Sequence, residues 1–176
     1  AIEPIMTGLS KSSQTTSLLF SRCVLGKREF REPIQPLTRG IMACSQLRDL
    51  SLVSCNLPDM TPLLRSLGNG RVNYLESIDL RENCLLAPSM EALGDLLETS
   101  SSLRRLNLCL QRQWHRSTAI QRDFSPLFKS LAHCQLKELY LRGNPIQPHA
   151  IEVLLDSLRQ NNTLELLQLT DCLLQS

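Results

Sequence analysis

Seven cysteines and three histidines are the residues whose chemistry would be easiest to recruit. The cysteines are Cys23, Cys44, Cys55, Cys84, Cys109, Cys134 and Cys172; the histidines are His115, His133 and His149. A structural zinc site needs Cys and His in closely spaced pairs. No C-x-x-C occurs, and no His and Cys cluster has finger spacing. The cysteine count is odd, and most thiols sit inside apolar runs such as LNLCL around Cys109. That pattern reads as buried free thiol. Free thiols favour a reducing compartment, so an intracellular protein, cytoplasmic or nuclear, is expected. No histidine stands beside a Ser or Cys nucleophile with a local signature. Gly26-Lys27 lacks the upstream glycine and the following Ser or Thr of a phosphate loop. Gly68-Asn69-Gly70 reads as a turn between a helix and a strand. Asn161-Asn162-Thr163 is a formal glycosylation sequon and reads as an ordinary polar turn. The expectation is therefore no catalytic residue, no metal ligand and no cofactor, in a chain that is not an enzyme.

The elements that would carry any other function are set by composition and period. The 176 residues make about one domain, with 42% hydrophobic and 20% charged residues, a globular balance. The net charge of +2 is too small to imply a nucleic-acid or membrane partner. No apolar run approaches the roughly 18 residues of a membrane helix, and no signal peptide opens the chain. Leucine supplies 37 residues while aromatics make up 4%. So much leucine with so few rings implies a repeated packing position.

Four segments line up without gaps: LRDLSLVSCNL from Leu47, LESIDLRENCL from Leu75, LKELYLRGNPI from Leu136 and LELLQLTDCLL from Leu164. Each follows L-x-x-L-x-L-x-x-[N/C]-x-L, with Ile allowed for Leu. Two weaker copies begin at Thr15 and Leu103; the second places Gln111 at the Asn/Cys position and Gln113 at the last apolar one. About six repeats therefore start near residues 15, 47, 75, 103, 136 and 164, with three of the five steps equal to 28.

This pattern resembles the leucine-rich repeat. Its 28-residue step, with Cys or Asn at the ninth position, is similar to the ribonuclease-inhibitor-like subfamily. The resemblance implies one domain over 1–176, an α/β right-handed solenoid forming a horseshoe arc, with a parallel concave sheet and convex helices. It leaves the role open among inhibitors, innate-immune sensors, GTPase activators and actin-capping scaffolds.

The physics of the motif agrees. Alternation such as Leu50-x-Leu52 is that of a short strand with one leucine face. Asn83 and Asn144 follow where the chain must turn inward, and a buried amide there can both donate to and accept from backbone groups. Cys23, Cys55 and Cys172 occupy the same slot. Helices are expected at 60–67, 88–98, 124–132 and 148–160, on apolar spacings such as Met90, Leu93, Leu96 and Leu97. Pro62 and Pro148 stand near their starts. Strands are expected around Leu18, Leu50, Ile78, Leu106, Leu139 and Leu167. Ile2, Ile5, Met6 and Leu9 read as the helix of a preceding repeat over residues 1–14. Neither end shows a polar cap, so the chain reads as a fragment of a larger protein.

A working surface follows from the frame. Offsets two, four, six and seven from each repeat start should face the concave side. Offset two holds Ser17, Asp49, Ser77, Arg105, Glu138 and Leu166. Offset four holds Leu19, Ser51, Asp79, Asn107, Tyr140 and Gln168. Offset six holds Ser21, Val53, Arg81, Cys109, Arg142 and Thr170, and offset seven adds Arg22, Glu82 and Asp171. Asp49, Asp79, Arg81, Glu82, Arg105, Asn107, Glu138, Tyr140, Arg142 and Gln168 are the expected partner-binding residues. Mixed charge with one Tyr suits a protein partner, or another domain of the same chain, better than a phosphate backbone. A GTPase activator, with Asn107 on the rim, is the alternative. Trp114, His115 and Arg116, in the long fourth connector, make a second candidate site. Gly26–Pro36 reads as a solvated loop.

Overall fold

A computed structural model describes residues 2–9, 11, 14–23, 25, 34–57, 59–111 and 123–172. Six strands follow the six repeats: β1 (Ser17–Ser21), β2 (Asp49–Val53), β3 (Ser77–Asp79), β4 (Arg105–Asn107), β5 (Glu138–Tyr140) and β6 (Leu166–Gln168). They form one parallel sheet in chain order. Its register is that of the repeat frame: Ser17 faces Asp49, Asp49 faces Ser77, Ser77 faces Arg105, Arg105 faces Glu138 and Glu138 faces Leu166. The longer first and fourth repeats keep this alignment. The frame leucines point the other way. Leu47, Leu50, Leu52, Cys55 and Leu57 of the second repeat are all buried, as are Leu80, Leu108 and Leu141 at the sixth frame position of later ones.

The helices close the core from one side. They are α1 (Ile2–Leu9), α2 (Ile34–Ala43), α3 (Thr61–Ser66), α4 (Ala87–Thr99), α5 (Ser125–Ser130) and α6 (Pro148–Leu158), each packed on the next. Proline stands in the first two positions of α3, α4, α5 and α6, where a missing N–H costs no helical bond. Gly94 lets α4 meet α5 closely, since a Cβ there would lie 3.0 Å from the Pro126 carbonyl oxygen. Met6 anchors α1 by lying where Gly40 of α2 has no side chain.

Three elements differ from the sequence reading. Residues 34–36, read as part of a solvated loop, open α2, and Ile34 is buried. Pro36 is tolerated because first-turn N–H groups have no intrahelical partner. The spacing of Ile34, Leu37, Thr38 and Ile41 is a helical face that the sequence reading missed. The expected helix over 60–67 ends at Ser66 and passes into a π-helical turn, Leu67–Arg71, which takes in Gly68-Asn69-Gly70. Cys109, expected on the exposed sheet surface, is buried. Its short side chain sits in the row between Arg81 and Arg142, with Gln168 Oε1 3.9 Å from its sulfur.

The turn after each strand is the same device six times. The eighth residue of every repeat has positive φ: Arg22, Ser54, Glu82, Leu110, Gly143 and Asp171. Only one is glycine, although this region is costly for other residues. What holds it is a bond to the next repeat. Arg22 N–H donates to Val53 O at 2.9 Å, Ser54 to Arg81 at 3.0 Å, Glu82 to Cys109 at 2.9 Å, Leu110 to Arg142 at 2.8 Å and Gly143 to Thr170 at 2.9 Å.

The ninth residue then points inward. Asn83 Nδ2 donates to Leu52 O at 2.6 Å and Leu80 O at 2.9 Å, while its Oδ1 accepts from Cys55 N–H at 3.1 Å and Leu57 N–H at 3.4 Å. Asn144 repeats this with Leu108 O, Leu141 O and Gln111 N–H. Gln111, which weakened the motif in sequence, does the same work, donating to Leu80 O at 2.7 Å and accepting from Leu85 N–H at 3.4 Å. Cys55 and Cys172 donate through sulfur, to Phe20 O at 3.4 Å and Leu141 O at 3.2 Å. The slot is a ladder of side chains that tie each repeat to the preceding one.

Candidate functional site: the open face of the sheet

Helices cover one face of the sheet, and alternation places the third and fifth residues of each frame, at offsets two and four, on the other. Rows at these offsets run straight across the strands. Offset two aligns Asp49, Ser77, Arg105 and Glu138; offset four aligns Ser51, Asp79, Asn107, Tyr140 and Gln168. The structure thus brings together Asp49, Asp79, Arg105, Asn107, Glu138, Tyr140 and Gln168 on one surface. Arg81, Glu82 and Arg142 stand in the adjoining turns.

Each of the three arginines on this surface has a carboxylate partner. Arg81 contacts Asp79 at 3.1 Å. Arg142 Nε donates to Asp171 Oδ2 of the next repeat at 3.1 Å. Arg105 reaches back over the small Ser77 of β3 to Asp49 on β2, at 3.6 Å. Tyr140 donates its hydroxyl proton to Glu138 Oε2 at 2.8 Å, which raises the tyrosine's pKa because the neutral phenol is the bonded form. Asp79 is the most enclosed carboxylate here, and burial pushes its pKa up. The Arg81 amide and guanidinium work against that rise, and Glu82 adds to it. Burial likewise raises the Cys109 thiol. Around half of each arginine side chain stays in solvent, so such pairs contribute about 0–1 kcal/mol each. They hold the guanidiniums in place without consuming them.

Charge is unevenly spread. β3 to β5 carry most of it, whereas β1 and the centre of β2 present Ser17, Leu19, Ser21, Ser51 and Val53. Leu19 is 70% exposed, the most exposed large apolar residue among those described. Its place in the offset-four row was visible in sequence, yet the expected binding residues omitted it.

A second charged row was also missed. The offset-one position pairs Arg48 with Glu76 at 2.5 Å and Lys137 with Glu165 at 2.6 Å along one flank of the sheet. Arg48 also lies over the Tyr74 ring, 5.9 Å from its centre. The signal was the run Arg48, Glu76, Arg104, Lys137 and Glu165 at one frame position. The alternative site at Trp114, His115 and Arg116 lies outside the described residues.

The remaining motifs serve the scaffold. Asn161 of the sequon donates to Leu131 O at 2.5 Å and accepts from Thr163 and Leu164 N–H, so its amide closes a turn between repeats. His149 contacts Asp123 at 3.1 Å across α6 and the start of α5. Among the described residues no group of three His, Cys, Asp or Glu could hold a metal ion, and no helix is long and apolar enough to cross a membrane.

Six in-register parallel strands, with helices on one face and a repeated turn ladder, define an α/β leucine-rich-repeat solenoid. Solved structures of the same type superpose on it. The tropomodulin C-terminal domain of Caenorhabditis elegans matches with a TM-score of 0.55 at 15% identity, over 90% of this chain and 92% of that one. An internalin from Listeria monocytogenes matches with a TM-score of 0.50 at 18% identity, over 100% of this chain and 46% of that one. No protein-family model matches the chain, and neither does any curated protein.

Proposed function

We propose that this domain is a protein-interaction module, and that its working surface is the open sheet face. The observation that carries the reading is the set of arginines on that face. Arg81, Arg105 and Arg142 are held in position by carboxylate partners and remain accessible, with Tyr140 among them. Arg and Tyr are the residue types most often found as interface anchors. A mixed-charge protein surface is the partner this arrangement suits, since a phosphate backbone would call for Lys and Arg throughout. The 28-residue step and the Cys, Asn and Gln slot support a ribonuclease-inhibitor-like repeat type. An intracellular setting fits seven unbonded thiols. The GTPase-activating alternative is less favoured, because its one candidate residue, Asn107, accepts from the Cys109 amide at 3.0 Å and so serves its own turn.

The test is a triple change, Arg81→Glu, Tyr140→Ala and Arg142→Glu. None of the three belongs to the core, so melting should stay within a few degrees of wild type. Co-purification of bound proteins from cell extract should fall sharply. Recovery of the same partners at wild-type levels would show that the face is not the working surface.

A further inference from the structure

We propose that Cys23 and Cys55 form a reversible, peroxide-driven disulfide that staples the first repeat to the second. They occupy the ninth-residue slot of adjacent repeats. The slot row reads Cys23, Cys55, Asn83, Gln111, Asn144 and Cys172, so this is the one place where two neighbouring slots both hold thiols. Backbone bonds fix the two repeats on either side of Cys23: Arg22 N–H donates to Val53 O at 2.9 Å, and Leu25 N–H to Cys55 O at 3.2 Å. Neighbouring strands lie about 4.8 Å apart. That spacing falls within the roughly 4.4–6.8 Å between Cα atoms that a disulfide spans.

The Cys55 thiol lies between the two repeats, 3.4 Å from Phe20 O of the first and 3.4 Å from Val53 O of its own. The Cys23 sulfur stays near its own strand end, 3.5 Å from Ser21 O. Access is unequal: Cys55 is fully buried and Cys23 only half-buried. Cys23 is therefore the thiol an oxidant reaches, and Cys55 the one that resolves it. Burial raises the Cys55 pKa; the Cys23 backbone amide works against that rise, and negative charge on Cys23 adds to it. Conversion of Cys23 to a neutral sulfenic acid removes that repulsion.

The chemistry balances with hydrogen peroxide as the oxidant. The Cys23 thiolate attacks one peroxide oxygen, the O–O bond breaks, and the departing hydroxide takes a proton to become water. Cys23 is now a sulfenic acid. The Cys55 thiolate attacks its sulfur, the S–O bond breaks, and the second hydroxide leaves as water with the proton Cys55 has given up. Two thiols and one peroxide give one disulfide and two waters, with two electrons passing from sulfur to oxygen. A thiol reductant restores the starting state.

The experiment treats the folded 176-residue chain with hydrogen peroxide, counts free thiols, and maps cross-links by mass spectrometry of an unreduced digest. Two of the seven thiols should disappear, with Cys23 linked to Cys55. The oxidised protein should melt about 5 °C or more above the reduced one, since the staple restricts the unfolded chain. Dithiothreitol should reverse both changes. In a Cys55→Ser variant, dimedone should label Cys23 as a trapped sulfenic acid. A Cys23→Ser variant, altering the less buried position, should fold and lose no thiol pair. Persistence of all seven thiols, a cross-link between any other pair, or thiol loss only in denaturant would overturn the proposal.

Discussion

Replacing Asn83 by Leu tests whether the ladder of inward side chains holds the repeats together. The two side chains share one branched skeleton with the same number of heavy atoms, so the change removes the polar groups and adds the bulk of two methyls in their place. Asn83 is completely buried. Its loss strips the acceptor from the Cys55 and Leu57 amides and the donor from Leu52 O. Leu80 O keeps its bond from Gln111. Three backbone groups are then buried without a partner, at about 1–3 kcal/mol each before relaxation. Burial of the leucine side chain returns about 1.5–3 kcal/mol. The net expectation is a loss of about 3 kcal/mol. With a urea slope of about 2 kcal/mol per molar, the unfolding midpoint should fall by about 1.5 M. Asn83→Cys should fall between wild type and Asn83→Leu, because a thiol in this slot donates to one carbonyl, as Cys172 does. Hydrogen exchange should localise the damage to the Cys55 and Leu57 amides. A midpoint unchanged by Asn83→Leu, or unaltered protection of those amides, would refute the reasoning.

Gly143→Ala should destabilise by about 1–2 kcal/mol in thermal melts, since its φ is +72° and a Cβ would strike Leu110; pairing it with Leu110→Ala should recover part of the loss. Two carboxylates should titrate in opposite directions by NMR. Burial alone would raise Asp123, but bonds from Ser125 and His149 outweigh it and its pKa is lowered, so its stabilising contribution is present above the unfolded value near 3.8 and lost as pH falls through the folded one. Asp79 is raised, so the folded state binds its proton more tightly, and that contribution is present below 3.8 and lost as pH rises through the folded value. Finding Asp79 below Asp123 would refute the account of both.

The strands were legible because the motif fixes both identity and phase. Leu18, Leu50, Ile78, Leu106, Leu139 and Leu167 all fall in strands of one parallel sheet, and the offset rows coincide with the pairing register. Asn83 and Asn144 stood out because a lone amide among leucines needs partners. Helix α2 was missed because two prolines and several charges in Gly26–Pro36 masked the apolar spacing that begins at Ile34. The π turn at Leu67–Arg71 follows from carrying a helical path through two glycines, which spacing rules do not anticipate. On the open face, positions could be read but pairings could not. That Arg105 would span two strands to Asp49 depends on Ser77 being small and on rotamers that a frame does not encode.

Because the turn amide of each repeat bonds forward and the slot side chain bonds back, extra residues have one place to go. Both lengthened repeats carry theirs between the slot residue and the next helix, from Leu25 to Ile34 and from Gln111 to Ser125. The steps of 32 and 33 leave the rows as straight as the steps of 28 do. The fold therefore keeps separate accounts of length and phase. Connectors can grow, shrink or diverge without shifting a single column of the open face, which leaves that face's letters to be rewritten one at a time while the lines stay ruled.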